Sequence, residues 1–241
     1  MKALVLCAGY GTRLGSITCN LPKPMLPLCG QPLLAYTLRY LARYGFDQVA
    51  VNLHFRPEAF VDYFEDGSRF GVELTYSYER TLLGTAGAVR KLGPYFAGED
   101  DFLVVYGDLL IAQDLGTLLR FHLAKRARAT LVLHQRPNSN SLVNMDDTNR
   151  IIGFLERPTE QERQASPYKW VNSGLQILNR RMIELVPEQV PSDLPRDVYI
   201  PSLQKEGIFG FPLNGYRCAI DSIARYNEAQ AAVAAGHYRR P

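Results

Sequence analysis

With 241 residues, 46% of them hydrophobic, the chain is long enough for one large domain with a substantial core. A formal net charge of +3 is too small to argue for a nucleic-acid partner or an anionic membrane. Four cysteines show neither CxxC spacing nor a disulfide pattern, and no leader-like or long apolar span occurs, so a cytoplasmic location is expected.

Ala3 to Ala8 is a continuous apolar run, the pattern of a strand buried on both faces of a parallel sheet. It breaks at Gly9 and Gly11, where absent Cβ atoms let backbone approach a ligand closely. No Asp or Glu precedes Asp47, so Arg13 and Lys23 stand near this loop unopposed. A glycine loop with fixed cations and no carboxylate suits a polyphosphate; a plain βα turn is the competing reading. The dinucleotide fingerprint fits poorly, because position 14 is Leu and no acid follows at the required spacing.

Pro32 to Tyr44 predicts a helix, with Leu34, Leu38 and Leu41 on one face and Gly45 ending it. Gln48 to Leu53 predicts a buried strand, Glu58 to Glu65 a short helix, and Val72 to Tyr78 an alternating strand. Leu83 to Ala88 opens a helix running to about Lys91, and Phe102 to Tyr106 is a third buried strand ending in Gly107-Asp108. Asp114 caps a helix through about Lys125, and Ala129 to Gln135 is a strand. Buried strands alternating with amphipathic helices imply βαβ units, and so an α/β class with a doubly wound, mostly parallel sheet.

Beyond residue 136 the segments shorten: strands at Ile151 to Leu155, Gly174 to Leu178, Ile208 to Leu213 and Tyr216 to Ile220, and a helix around Asp197 to Gln204. This reads as a mixed α+β extension. No linker separates it, so residues 1–241 are expected to form a single domain, with about 1–136 binding nucleotide and about 137–241 the second substrate. Asp108 ends an apolar strand, where open α/β sheets place ligands, and a carboxylate there suits Mg²⁺. A turn or helix cap is the alternative.

Three motifs in order carry a resemblance: Gly9-x-Gly11-Thr12-Arg13-Leu14, then Pro22-Lys23-Pro24-Met25-Leu26-Pro27, then Gly30-Gln31-Pro32-Leu33-Leu34. Together they resemble the N-terminal signature of the sugar-1-phosphate nucleotidylyltransferases. The resemblance implies a nucleoside triphosphate and a sugar 1-phosphate as partners, Mg²⁺ as cofactor, and Arg13 and Lys23 as the catalytic cations. It also assigns Leu6, Ala8, Gly9, Gly11, Thr12, Arg13, Lys23, Gly84, Thr85 and Asp108 to the nucleotide, with Asp108 on the metal. Leu83-Gly84-Thr85-Ala86-Gly87-Ala88 is similar to the family's base loop and looks most like guanylyltransferases, with uridylyl and thymidylyl transfer as alternatives. Glu156-Arg157-Pro158 matches a Glu-Lys-Pro that holds the sugar and its phosphate, with Arg157 replacing Lys. Asn172-Ser173-Gly174 resembles the family's sugar-contacting Asn-x-Gly, for which a surface turn competes, and Ser141 stands near a position where relatives often carry glycine.

The C-terminal end departs most from the family. Counting back from Tyr226-Asn-Glu-Ala-Gln230 puts Ala219 where relatives carry the second metal-binding Asp, and Asp221 two residues later. Asp221 is therefore the candidate second metal ligand, with a helix N-cap as its alternative role. The loss at Ala219 keeps a catalytically silent nucleotide-sugar-binding regulator in view. A homo-oligomer is compatible with the sequence.

Overall fold

The computed structural model describes residues 1–11, 21–136 and 139–238. The chain opens with β1 (Ala3–Leu6), whose first three residues are fully buried. A 3-10 turn (Lys23–Met25) and a two-residue hairpin, β2 (Pro27–Leu28) and β3 (Gln31–Pro32), lead into α1 (Leu33–Arg43). Helix α1 buries Leu33, Leu34, Leu38 and Leu41 completely. Then come β4 (Gln48–Leu53), α2 (Pro57–Phe64), β5 (Glu73–Tyr78), α3 (Gly84–Lys91) and β6 (Asp101–Tyr106). Next are β7 (Leu109–Gln113), α4 (Leu115–Lys125), β8 (Ala129–Gln135), β9 (Ser141–Met145) and β10 (Ile151–Glu156). The chain continues with α5 (Glu160–Ala165), β11 (Trp170–Asn179) and a π-helical turn (Leu194–Tyr199) running into the short α6 (Ile200–Ser202). It ends with β12 (Ile208–Pro212), β13 (Gly215–Ala219) and α7 (Ile223–Ala234).

The expected strands and helices are present, mostly within two residues of their predicted bounds. The exception is the helix expected over Asp197 to Gln204. Pro195 and Pro201 each remove a backbone donor there, and the segment resolves into a π turn and three helical residues.

The chain divides into two compact units of interleaved segments: Met1–Leu82, Val104–Leu115 and Asn214–Pro241 in the first, Leu83–Leu103 and Gly116–Leu213 in the second. In the first unit β4 lies between β1 and β5, all parallel, with Leu6 beside Asn52 and Asn52 beside Ser77. The sequence turns from β6 at Gly107 with no room for a side chain, since a Cβ there would meet Cys7 Sγ at 2.6 Å. Strands β7 and β13 pair antiparallel, with Ala219 opposite Leu109. Leu26, Leu28, Leu33, Tyr36, Leu110, Cys218 and Ile220 pack into one buried cluster with Ala229 of α7.

The second unit carries a mixed sheet. Strand β8 pairs antiparallel with β11 and parallel with β12, while β9 and β10 form an antiparallel pair. Helix α5 begins at Thr159 with a complete capping box, Thr159 and Glu162 exchanging side-chain to backbone hydrogen bonds. The fold is therefore α/β, with a parallel sheet in the first unit and a mixed one in the second. Among the described residues no helix is long and apolar enough to cross a membrane.

Candidate active site

In the first unit, the carboxyl ends of the parallel strands bring the glycine loop, Lys23 and Asp108 together. Leu6 accepts the amide of Gly107 at 2.9 Å, which holds the turn bearing Asp108 against the end of β1. Lys23 is only 7% exposed, unusual for a lysine, and its Nζ lies 3.7 Å from Asp108 Oδ2. Its aliphatic stem rests on Gly11, where φ is +70° and an added Cβ would meet Lys23 Cγ at 2.8 Å. Gly11 is thus required twice, for its backbone conformation and for the space that the lysine stem fills. Burial, and then the nearby Asp108 carboxylate, push the Cys7 thiol well up, so Cys7 packs here as a neutral apolar group. Thr12 and Arg13 lie outside the described residues, while Ala8 is buried and Gly9 exposed in the loop.

Asp221 lies two residues beyond the end of β13. The β7–β13 ladder continues past Ala219 with the Ile220 amide on the Asp108 carbonyl at 2.9 Å. The Asp221 amide then turns back onto the Ala219 carbonyl at 3.1 Å, so the chain bends at Ile220 and is not extended there. Nor is Asp221 the helix cap: Ser222 caps α7, its hydroxyl accepting from the Arg225 amide. Among the described residues, no group of three or more His, Cys, Asp or Glu side chains converges as a metal site.

In the second unit the loop at Gly84 is fixed by its own chain. Gly84 has φ +76°, and a Cβ there would lie 2.2 Å from the Ser192 carbonyl. The first amides of α3 are already taken: Ala86 donates to the Ser192 carbonyl at 2.9 Å and Thr85 to Asp193 Oδ1 at 3.4 Å. A carbonyl and a carboxylate from residues 192 and 193 thus satisfy the first amides of this helix. The Thr85 hydroxyl accepts from the Leu194 amide at 2.8 Å.

Glu156 ends β10, and Arg157 follows with φ +52° and a side chain three-quarters exposed. Asn172 and Gly174 lie inside β11, not in a surface turn. Between Asn172 and Gln176 the strand slips its register with β8, and Asn172 Oδ1 accepts the Gly174 amide there at 3.1 Å. The Ser141 hydroxyl accepts the Asn172 amide at 3.1 Å, so Ser141 supports this bulge.

Burial pushes the Glu156 carboxyl up from its ordinary 4.5 to about 7, Arg157 opposing the rise and Asp193 adding to it. A carboxyl that is easier to protonate in the folded chain stabilises it below the ordinary value, and that contribution fades as pH rises toward about 7. Glu156→Gln should therefore flatten the pH dependence of stability across that window and stabilise the chain at its upper end. The gain is about 1–2 kcal/mol once solvent screening is allowed for. Denaturant titrations on either side of the window check this, and an unchanged slope would place the Glu156 carboxyl in water.

Comparison with known proteins decides the family. Residues 2–197 match the family model described as nucleotidyl transferase. The chain belongs to this family. Its curated relatives are sugar-1-phosphate nucleotidylyltransferases. A UTP–glucose-1-phosphate uridylyltransferase of Synechocystis sp. is 35% identical over 230 residues, covering 89% of this chain and 58% of the relative. A mannose-1-phosphate guanylyltransferase of Mycobacterium tuberculosis is 33% identical over 216 residues, covering 88% and 58%. The chain thus spans under two thirds of the length of these relatives. The fold is shared with a UDP-glucose pyrophosphorylase solved with UDP-glucose, at TM-score 0.83 and 21% identity over 97% of this chain and 98% of that one. HddC from Yersinia pseudotuberculosis superposes at TM-score 0.81 and 20% identity, covering 96% and 99%.

This nucleotidyl transferase family member also holds residues in its first unit that sequence reading passed over. Asn52 and Glu79 are buried polar groups at the ends of β4 and β5, and His54 follows β4. A buried Asn closing an apolar strand was the available signal.

Proposed function

We propose that this chain joins a nucleoside triphosphate to a sugar 1-phosphate, giving a nucleotide sugar and pyrophosphate, with GTP as the favoured nucleotide. One observation carries this reading: a buried lysine whose ammonium is held 3.7 Å from the Asp108 carboxylate, behind a glycine loop at the strand ends. Phosphoryl transfer needs alignment and charge neutralisation more than covalent help, and a buried cation on a fixed stem supplies both.

A phosphate oxygen of the sugar 1-phosphate attacks the α-phosphorus in line, and the bond to the bridging oxygen breaks as pyrophosphate leaves. Lys23 neutralises the phosphates around the reacting centre and Arg13 the leaving pyrophosphate. Arg157 grips the sugar phosphate, bidentately where the family's lysine is a point charge, while Glu156, Asn172 and Gly174 receive the sugar. No general base is needed, because the attacking phosphate is already anionic. Nucleotide falls to residues before about 136 and sugar phosphate to those after. Asp108 fits Mg²⁺ that arrives with the nucleotide, since this ion takes one or two carboxylates and completes its shell with phosphate oxygens. When bound, the ion supplies positive charge to the phosphates.

Pyrophosphate release measured with a panel of nucleoside triphosphates and sugar 1-phosphates tests the reaction. The Leu83 to Ala88 wording and the guanylyltransferase relatives favour GTP over UTP, and turnover at equal concentrations checks that preference. Uridylyl transfer is the second reading, favoured by the Synechocystis relative. A clear UTP preference would establish it and leave the reaction class standing.

A further inference from the structure

Lys23 stands between Pro22 and Pro24, and its carbonyl accepts the Leu26 amide at 3.0 Å. The Met25 amide closes the same turn on the Pro22 carbonyl at 2.8 Å. Leu26 in turn accepts the Leu33 amide at 2.9 Å, so Leu26 and Leu33 bracket the hairpin of β2 and β3. The place of the Lys23 backbone therefore follows the hairpin.

That hairpin has little of its own to hold it. It is two residues a side, Pro27 faces Pro32, and a proline offers no amide donor. Its turn residues, Cys29 and Gly30, have φ +46° and +80°, the positive values that a two-residue turn demands. Cys29 takes that conformation without being glycine.

Three side chains hold the hairpin from outside. Tyr36 of α1 donates its hydroxyl to the Leu28 carbonyl at 2.7 Å. The other two come from α7, 199 and 201 residues further along the chain. Tyr226 donates its hydroxyl to the Pro27 carbonyl at 2.6 Å, and Gln230 Oε1 accepts the Cys29 amide at 2.7 Å. Gln230 Nε2 lies 3.2 Å from the same Tyr226 hydroxyl. A backbone amide only donates, so Cys29 sets Gln230 with its oxygen toward the hairpin and its nitrogen donating to Tyr226. The tyrosine proton is then left for Pro27. Four positions apart on one helix, Tyr226 and Gln230 share a face and grip residues 27 and 29 as a unit. Ala229 beside them packs into the buried cluster with Leu26, Leu28 and Leu33.

We propose that Tyr226 and Gln230 are positioning residues for Lys23: from α7 they hold the hairpin that sets the lysine backbone, and so keep its ammonium where the phosphates react. They act through the backbone and not on substrate. A displacement of about 1 Å at a reacting centre can cost up to about 10²-fold, so a loosened hairpin shows in turnover more than in stability. This rests on the reading of Lys23 as a catalytic cation.

The test measures kcat and KM for pyrophosphate release from GTP or UTP with a sugar 1-phosphate, alongside melting temperature. The variants are Tyr226→Phe, Gln230→Leu, Gln230→Glu, Lys23→Met, and Tyr226→Phe combined with Lys23→Met. Tyr226→Phe loses one oxygen and keeps the ring, so it folds; kcat should fall about threefold to fivefold with KM for the nucleotide little changed. Gln230→Leu, which leaves the Cys29 amide without its acceptor, should lose as much, and Gln230→Glu, which restores an acceptor, should recover part of the loss. On Lys23→Met, Tyr226→Phe should lower the residual turnover no further, because no ammonium is left to place. A loss of the same size in both backgrounds would show that the effect bypasses Lys23 and would overturn the proposal. Wild-type kcat in both Tyr226→Phe and Gln230→Leu, whatever their melting temperatures, would make the two residues structural and overturn it as well. Wild-type turnover in Lys23→Met is a different failure: it removes the catalytic reading of the lysine, and this inference with it.

Discussion

Lys23→Met is expected to abolish most turnover while leaving the fold intact. Methionine keeps most of the aliphatic stem that lies on Gly11 and loses only the ammonium, so packing is nearly conserved. Removing one charge aimed at a transition-state phosphate costs several kcal/mol, or a fall in turnover of about 10²–10³-fold. Lys23→Ala should lose as much activity and also some stability, because it empties space around a residue that is only 7% exposed. The Asp108 carboxylate would lose its cation in both variants, but its side chain is 29% exposed and water covers part of that loss. Pyrophosphate release and melting temperature, measured on both variants, separate the two effects. Unaltered turnover in Lys23→Met would remove Lys23 from the chemistry and leave it a structural lysine.

What the sequence made legible was whatever depends on neighbours in the chain. The apolar run of β1, the glycines after it and the Asp at the end of β6 are local patterns, and all three landed at the strand ends. Strand β7 was missed because Leu109–Gln113 follows the Gly107-Asp108 turn directly and shows neither alternation nor a break of its own. The capping box of α5 was visible at Thr159 and Glu162 but precedes a stretch with no apolar face to bury, so no periodicity drew attention to it. The start of α3 could not be judged from its own residues. What caps it is Ser192 and Asp193, more than a hundred positions later, and only the folded chain shows those amides already bonded. The same holds for Asn52 and Glu79, whose meaning lies in contacts 45 and 27 residues away in sequence.

Ala219→Asp is expected to raise turnover strongly. Ala219 is 8% exposed on β13, opposite Leu109, and the next amide in its strand bonds the Asp108 carbonyl. Adjacent strands lie about 5 Å apart, so a carboxylate at position 219 has its backbone one strand spacing from that of Asp108. Without a cation this is a poor place for a second negative charge: it is desolvated and close to a like charge, so the variant should melt earlier in chelator. With Mg²⁺ and nucleotide the sign reverses, because the ion binds only the folded chain and now finds two carboxylates. Each 1.4 kcal/mol or so of added transition-state stabilisation is worth about tenfold in rate. The unaltered chain should accordingly bind nucleotide yet turn it over slowly, through the single carboxylate of Asp108. Asp221→Ala should change little, since the bend at Ile220 takes Asp221 off the line of the strand. If instead Asp221→Ala abolishes turnover and Ala219→Asp does harm, Asp221 has replaced the missing ligand across that bend. If neither substitution matters while the unaltered chain binds nucleotide and forms no product, the catalytically silent regulator becomes the better reading, because the pair would then hold no metal that chemistry depends on.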